Sequence, residues 1–349
     1  MDDMNSQANE TAPAPTKHYS EPFSLRRLAR TNSAQLGILG VFLTLWLLMI
    51  LAAPKTFLAP NIYYAFMSSI PFFALMAIPL TIVVIMKEID LSFPSIMAMG
   101  MVSFSFIFNH TAFIGNTTIQ VFLAILAALL TGTLIGWLNG FIIVRIGIPS
   151  LVVTIGTQFF WRGAVLVLTQ GANFSLSYII KTPFYPMLVG QVVKYVPMQM
   201  IWLIVVTILG WVLLNRRRFG SHIYLIGDNI NSAELMGVNT GRVRIQAFML
   251  VGLVAAFAGI LASFYVAYFW PSLGDGYLLS TLASVFLGGT SVFGGVGTIL
   301  GTFLGAFIIG AIEAATVAVG LTGFWTQLIY GLIIVLSVIM HTYLRKRAD

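Results

Sequence analysis

Residues 118–144 read TIQVFLAILAALLTGTLIGWLNGFIIV, and a charged residue follows only at Arg145. The run is longer than the roughly 20 apolar residues with which an α-helix crosses a bilayer. A soluble protein could bury such a stretch in its core, but only if other segments supplied a polar surface. The rest of the chain does not supply one, so this run predicts a transmembrane helix.

Similar apolar runs recur from Leu36 to Leu344, and only 8% of the residues are charged, whereas 58% are hydrophobic. Soluble domains carry about 25% charged residues. We therefore predict an all-α polytopic membrane protein with about ten transmembrane helices. The eighth run is short and flanked by glycine, which indicates a re-entrant or strongly bent segment. The predicted spans are 36–53, 62–86, 94–109, 118–144, 150–168, 197–214, 244–268, 277–291, 298–317 and 324–343.

The basic residues predict the orientation. With the amino terminus in the cytoplasm, fourteen Lys and Arg residues fall inside, three (Lys55, Lys181 and Lys194) fall outside, and Arg162 lies within a span. This asymmetry follows the positive-inside rule and places both termini in the cytoplasm. The net charge of +7 therefore reflects membrane topology, and no pattern for nucleic-acid binding is present. The fourteen are Lys17, Arg26, Arg27, Arg30, Lys87, Arg145, Arg216, Arg217, Arg218, Arg242, Arg244, Arg345, Lys346 and Arg347.

The domain organisation follows from the same pattern. Residues 1–33 are polar and contain prolines, which predicts a disordered cytoplasmic tail; 34–345 form the membrane domain, and 346–349 a second short tail. The chain has no cysteine, its four histidines lack the spacing of metal ligands, and no G-x-x-x-x-G-K-[ST] loop is present. We therefore expect neither a metal site nor a Walker-type ATP site in this chain.

Two predicted spans repeat glycine every fourth residue, which places the glycines on one helix face where another backbone can approach closely. Tight packing within the bundle is the simpler interpretation, and an interface between subunits is the alternative. The glycines are Gly132, Gly136 and Gly140 in the fourth span and Gly297, Gly301 and Gly305 in the ninth.

The longest polar interruption between spans follows Arg216-Arg217-Arg218 and extends to about residue 243. Asn231 and Glu234 have capping-box spacing, and Gly237 is suited to end a helix. The pattern predicts a short cytoplasmic helix with Ala233 and Met236 on one side. Such a segment is either a solvated connection or a helix that docks into a groove of a partner.

Four motifs in this order resemble one protein family. They are Glu88-Ile89-Asp90-Leu91-Ser92; Arg162-Gly163 followed by Thr169-Gln170-Gly171; Gly227-Asp228-Asn229 with Ala233-Glu234-Leu235-Met236-Gly237-Val238; and Leu287-Gly288-Gly289-Thr290-Ser291 with Gly294-Gly295-Val296-Gly297-Thr298 and Gly301-Thr302. From about residue 36 to 345, the chain resembles permease subunits of bacterial ABC importers, in the ribose and simple-sugar group. The larger family also includes permeases for branched-chain amino acids.

The resemblance implies a type II-like importer permease fold in the bacterial inner membrane. It also implies two permease chains, identical or homologous, with cytoplasmic ATPase subunits that hold ATP and Mg²⁺, a periplasmic sugar-binding protein, and no cofactor in this chain. The loop at about 216–243 would contact the ATPase. The residues implied in that contact are Gly227, Asn229, Ala233, Glu234, Met236 and Gly237.

The sequence departs from the family pattern at three places. Lys87 stands where a glycine commonly precedes the acidic motif, Phe93-Pro94 replace the usual small residues after it, and Glu313 occupies a region where an amide is frequent.

Glu88, Asp90, Arg162 and Glu313 are the charged candidates for the substrate pathway, because charges at membrane depth usually face the bundle interior or a wet cavity. Glu88 and Asp90 have a structural interpretation, in which they cap a helix boundary with Lys87. For Arg162 we favour a buried ion pair over substrate contact. Glu313 either lines the pathway, where its carboxylate would accept hydrogen bonds from hydroxyl groups, or is the partner of Arg162 or of a neighbouring helix.

Three alternative functions remain open at this point. A proton-coupled secondary transporter would use Glu88, Asp90 or Glu313 as its proton site, a receptor or scaffold would transport nothing, and a branched-chain amino acid permease would share the family but not the substrate.

Overall fold

The computed structural model describes residues 33–318, 320 and 323–346. The predicted amino-terminal tail, apart from Ser33, lies outside the described residues, as do 347–349. Fourteen α-helices are present in the described part: α1 Ser33–Ala52, α2 Pro54–Phe57, α3 Pro60–Ile85, α4 Phe93–His110, α5 Thr117–Phe141, α6 Ser150–Thr169, α7 Phe184–Val189, α8 Met198–Arg216, α9 Arg218–Asp228, α10 Ile230–Leu235, α11 Thr240–Val266, α12 Leu278–Leu287, α13 Ile299–Ala318 and α14 Gly323–Lys346.

Seven of these helices are long and apolar enough to cross a membrane: α3, α5 with its π-helical extension Ile142–Ile146, α6, α8, α11, α13 and α14. They coincide with seven of the ten predicted spans, so the chain is an all-α polytopic membrane protein. The other three predicted spans correspond to shorter or more polar helices. The described apolar part of α1 is 37–52, and α4 includes serines, Asn109 and His110.

The eighth predicted span, 277–291, contains only the ten residues of α12. A helix of this length rises about 15 Å, which is half of the ~30 Å hydrocarbon core. The segment before α12 is irregular, with Pro271, Gly274 at φ +94° and a single 3₁₀ turn at Asp275–Tyr277. The chain thus traverses this part of the bundle as an irregular segment followed by a short helix.

The centre of the bundle is α3, whose residues from Phe66 onward are nearly all buried. It packs against α8, α11, α12 and α13, while α6 and α14 expose most of their surface. Pro71 and Pro79 lie inside α3, and each removes a backbone donor and locally distorts the helix. The hydroxyl groups of Thr81 and Thr302, 2.6 Å apart, join α3 to α13 inside this core.

The glycine faces pack within the subunit. A Cβ at Gly132 or Gly136 would overlap the carbonyl oxygen of Gly252 or Phe248 on α11, and one at Gly140 would approach the Ile245 Cα at 2.8 Å. In the same way, Gly301 and Gly305 lie against the backbone of Gly288 and Ser284, and Gly297 lies against Ile85 and Thr290. These six glycines therefore allow close packing between elements of the same chain, which is the simpler of the two interpretations given above.

The two ends of the bundle differ in their loops. We call the end formed by residues 86–92, 217–239 and 288–298 the motif end. The opposite end, the strand end, carries two short antiparallel pairs, β1 (Phe174–Ser175) with β4 (Tyr268–Phe269) and β2 (Gln191–Val193) with β3 (Val196–Pro197).

Candidate functional site

Three of the sequence motifs meet at the motif end. The backbone N–H of Gly295 donates to the carbonyl of Ile85 at 2.9 Å, which joins the glycine-rich turn to the end of α3. Gly227 of α9 lies so close to Ile85 that a Cβ there would overlap the Ile85 carbonyl oxygen. The Tyr224 hydroxyl donates to the carbonyl of Gly297 at 2.8 Å, and burial raises its pKa. The polar loop is therefore attached to the membrane helices on two sides.

Lys87 provides a further attachment. Its backbone has a φ of +66°, the left-handed region in which glycine is favoured. This conformation agrees with the glycine that is common at this position in the permeases that the sequence resembles. Unlike a glycine, Lys87 makes a side-chain contact here: its Nζ donates to the carbonyl of Asp228 at 2.8 Å. Lys87 thus links the end of α3 to the end of α9.

The acidic motif forms a buried polar cluster between α3 and α4. The Asp90 carboxylate accepts hydrogen bonds from the backbone N–H and the hydroxyl of Ser92, at 2.7 and 2.6 Å. The Asn139 amide on α5 donates to the Ser92 hydroxyl at 2.7 Å, and Ser150 on α6 accepts from the Ile89 N–H at 3.0 Å. The motif is therefore tied to two further helices.

The two acids of the motif differ in their partners. Glu88 forms an ion pair with Arg244 near the start of α11. Asp90 is fully buried, its Oδ2 has no partner among the described residues, and desolvation raises its pKa to about 6 against the opposing effect of the Ser92 hydrogen bonds. These contacts give both acids a structural setting, and neither of them lines the polar cavity described below.

The polar loop folds into α9 and α10. The cap of α10 is Asn229, whose Oδ1 accepts from the N–H groups of Asn231 and Ser232 at 3.0 and 3.1 Å. The expected capping box is therefore wrong: Asn231 lies inside the helix, and Glu234 accepts from the Thr240 hydroxyl at 2.6 Å instead. Gly237 ends the segment at φ +81°.

The buried and exposed side chains of residues 233–236 lie close together in sequence. Ala233 is fully buried against the bundle, whereas Leu235 is 90% and Met236 68% exposed. The expectation that Ala233 and Met236 share a side is wrong, because Met236 lies beyond the last helical residue. Two large apolar side chains thus project from the motif end, and Arg218 and Arg242 near the same end are exposed as well.

Arg162 lies within α6 and stabilises the irregular segment before α12. Its guanidinium pairs with Asp275 and donates to the backbone carbonyls of Pro271, of Leu273 at 3.0 Å and of Pro94 at 3.2 Å. Irregular backbone at membrane depth needs such donors, since no water is present to satisfy its carbonyls. Arg162 has an ion-pair partner, Asp275, but the Asp275 side chain is half exposed, so the pair is not fully buried as expected.

A polar cavity of about 590 Å³ lies beside this segment, between α3, α11, α13 and α14. Glu313 and Asp275 both line it and are both exposed to it, and its walls include three tyrosines and one tryptophan. The Tyr330 hydroxyl on α14 contacts the Glu313 carboxylate at 3.3 Å. Glu313 therefore partners a neighbouring helix and not Arg162. The aromatic residues are Tyr265, Trp270, Tyr277 and Tyr330.

Sequence reasoning missed Asp275, because it sits outside the apolar runs in a glycine-flanked turn. The sequence did indicate that Arg162, within a predicted span, requires an acidic partner, but it did not indicate which acid that partner is. The pairing of Glu88 with Arg244 was missed because the sequence does not show which acid and which base come together in the folded chain.

The arrangement agrees with the comparisons with known proteins. Residues 62–338 match the family model described as "Branched-chain amino acid transport system / permease component". The chain belongs to this permease family. The permease is 31% identical over 306 residues to proteins named "Autoinducer 2 import system permease protein LsrC" from Yersinia pestis (strain Pestoides F) and from Yersinia pseudotuberculosis serotype O:3 (strain YPIII).

These alignments cover 87% of the permease and 82% of each relative. No solved structure matches the chain. The permease is a multi-pass inner-membrane subunit of an ABC transporter, and it is not an enzyme, because ATP hydrolysis lies on separate subunits.

Proposed function

We propose that this permease moves a small, uncharged, hydroxylated substrate, of the monosaccharide or polyol class, across the bacterial inner membrane by alternating access. The observation that supports this best is the polar cavity between α3, α11, α13 and α14. Its two carboxylates accept hydrogen bonds from hydroxyl groups, and its aromatic rings offer apolar faces. The described lining contains two acids and no basic residue, so the cavity would repel an anionic substrate.

The names of the relatives support import as the direction and a small signal molecule as the kind of cargo. The same names do not favour a proton-coupled carrier. Glu88 and Asp90, which such a carrier would need to expose during transport, are buried in structural contacts at the motif end.

Energy would enter through α9 and α10. In this proposal the exposed Leu235 and Met236 insert into a groove of a cytoplasmic ATPase subunit, which holds ATP and Mg²⁺. Movement of that subunit would be transmitted by Lys87, Gly227 and Tyr224 to the end of α3 and to the glycine-rich turn. The rigid attachment of the loop at these contacts supports such a transmission.

The complete transporter would contain two permease chains, ATPase subunits and a periplasmic sugar-binding protein. We further propose about ten membrane segments, with α1, α4 and α12 completing the seven long helices, and both termini in the cytoplasm. The cluster of arginines at the motif end supports this orientation.

The test is uptake by the complete complex in proteoliposomes. We expect ATP-dependent uptake of a radiolabelled neutral sugar or of autoinducer 2, unaffected by a protonophore. Glu313→Gln should reduce the rate at least roughly ten-fold, because one lost charge-assisted hydrogen bond is worth ~1.5–3 kcal/mol. Glu313→Asp is the control that keeps the charge.

Unchanged uptake by Glu313→Gln would remove Glu313 from the pathway. Uptake of leucine in place of the sugar would instead assign the cavity to branched-chain amino acids. Loss of uptake on addition of protonophore, with ATP maintained, would favour a proton-coupled carrier.

A further inference from the structure

An apolar groove of about 520 Å³ runs along the outside of the bundle between α3, α5, α8 and α11. Pro79 of α3, Leu209 and Gly210 of α8, and Phe257 of α11 line it, and the only charged residue in its lining is Arg217. Leu209 is 61% exposed. Because the bounding helices cross the membrane, the groove opens toward the lipid hydrocarbon.

The groove continues toward the motif end. A second cavity of about 410 Å³ shares Leu213, Leu250 and Leu253 with it and also contacts Phe219 and Gln246. Together the two cavities form one groove that is apolar along most of its length and carries Thr133, Gln246 and Arg217 as its polar lining residues.

Arg217 lines the groove at the end of α8, next to the motif end. It is the extended residue (φ −118°, ψ 152°) that joins α8 to α9, and it is exposed together with Arg216 and Arg218. In the part of the chain that the structure describes, no carboxylate forms an ion pair with any of the three; Arg216 lies 5.4 Å from the ring of Trp211. Three arginines thus stand together at the edge of the membrane without an acidic partner.

We propose that this groove binds an anionic phospholipid, with an acyl chain along Leu209, Leu253 and Phe257 and the headgroup phosphate on Arg217 and Arg218. The acyl chain of such a lipid matches the apolar lining of the groove, and its anionic headgroup matches the arginines at the end of α8. Arginine binds phosphate through a rigid fork of donors, and basic pockets between membrane helices are suited to anionic headgroups. This inference rests on the membrane location of the chain and not on its proposed substrate.

The site has a consequence for transport. Since Arg217 is the only residue between α8 and α9, a lipid bound to it fixes the angle at which the proposed ATPase-contacting element leaves the membrane. Bound lipid would therefore favour the conformation in which α9 keeps its contacts with the end of α3 and with the glycine-rich turn.

The test is lipid binding by the purified full chain in nanodiscs, read by native mass spectrometry. We expect phosphatidylglycerol to be retained in preference to phosphatidylethanolamine, and inorganic phosphate not to displace it. Because one basic residue near the surface contributes about 1 kcal/mol, the preference should fall roughly five-fold in Arg217→Gln and about 25-fold in Arg217→Gln/Arg218→Gln. Arg145→Gln, an exposed arginine away from the groove, is the matched control.

A second variant tests the acyl part of the site. Leu209→Trp fills the groove without changing its charge and should also reduce phosphatidylglycerol retention, with the melting temperature unchanged. Retention at the wild-type level in both Leu209→Trp and the double arginine variant would overturn the proposal. So would efficient disulfide cross-linking of Leu209→Cys between two chains in the otherwise cysteine-free protein, since a second copy would then cover the groove.

Discussion

At the residue scale, the charges inside this protein are distinguished by whether they have a partner. Arg162 and Asp275 neutralise each other, and Glu88 pairs with Arg244. Among the described residues, Asp90 accepts from one hydroxyl and one backbone N–H, both on the same carboxylate oxygen. A buried charge without a counter-charge is costly, and the group shifts its pKa in response.

Asp90→Asn should therefore change the pH dependence of stability. The pKa of Asp90 is raised from near 3.8 to about 6, so the folded state holds a proton that the unfolded state has lost, and wild-type stability falls as the pH rises from about 4 to about 6. Asparagine keeps an acceptor for Ser92 and removes the charge. We expect the variant to lose this fall and to be more stable at pH 8, by on the order of 1–3 kcal/mol.

Thermal unfolding in detergent between pH 4 and 8 measures this difference. Asp228→Asn changes an exposed carboxylate at the same end and should behave as wild type. A lower melting temperature of Asp90→Asn at pH 8 would contradict the assignment of Asp90 as an uncompensated buried charge.

Arg162→Met should destabilise the protein by about 1–3 kcal/mol, the cost of leaving buried acceptors without their donor. It leaves Asp275 and three backbone carbonyls without their donor. The half-exposed Asp275 carboxylate adds little to this cost, because solvent in the cavity screens it. Arg162→Lys should recover only part of the loss, because an ammonium cannot reach several acceptors in the way a planar guanidinium does. Arg162→Met combined with Asp275→Asn should cost less than the sum of the single changes, as a double-mutant cycle of melting temperatures would reveal. Strict additivity would show that the two side chains do not interact.

At the scale of elements, close helix packing and one interrupted helix define the bundle. The glycine face of α5 lets its backbone approach that of α11, and glycine positions on both helices share this contact. The short α12 and the irregular segment before it leave backbone groups that Arg162 satisfies. This interruption also forms one wall of the polar cavity, so the helix break and the proposed pathway occupy the same place.

Gly136→Ala should loosen the contact between α5 and α11. Its Cβ would overlap the Phe248 carbonyl oxygen, and relief requires the two backbones to separate, at a cost of about 1–3 kcal/mol. Gly156→Ala on α6 is the matched control, because nothing lies within 4 Å of its Cβ. The helix propensity of alanine should leave that variant unchanged or more stable. Equal melting temperatures for the two variants would show that the close approach at Gly136 does not contribute to stability.

At the scale of the whole molecule, motifs that are far apart in sequence converge at one end. The end of α3, the turn at 293–297 and the α9–α10 element contact one another, and two exposed apolar side chains project from them. The polar cavity lies toward the strand end, where the first half of α3 and the end of α11 line it together with α13 and α14. The molecule therefore separates the surface proposed for the ATPase from the cavity proposed for the substrate, with α3 extending between them.

The orientation of the molecule can be tested directly because the chain lacks cysteine. Leu235→Cys at the motif end and Val193→Cys at the strand end introduce single exposed thiols, at positions 90% and 61% exposed. A membrane-impermeant maleimide should label Leu235→Cys in inside-out vesicles and Val193→Cys in spheroplasts. Labelling with the opposite sidedness would invert the proposed topology and remove the ATPase contact.

The sequence by itself determined the membrane class and the family, because hydropathy and motif spacing are local properties of the chain. Of its ten predicted spans, seven coincide with helices long and apolar enough to cross a membrane. The sequence also identified Gly237 as the glycine that terminates the α10 segment, directly after the C-cap residue Met236, because its φ of +81° is one that glycine adopts readily. Only the tertiary structure decided which charges meet: Arg162 and Asp275 are 113 residues apart, and Lys87 reaches Asp228 across 141 residues. It also decided that α12 is only ten residues long and that Asn229, not Asn231, caps α10. Such choices depend on which groups packing brings within hydrogen-bond distance, and a local pattern does not contain that information.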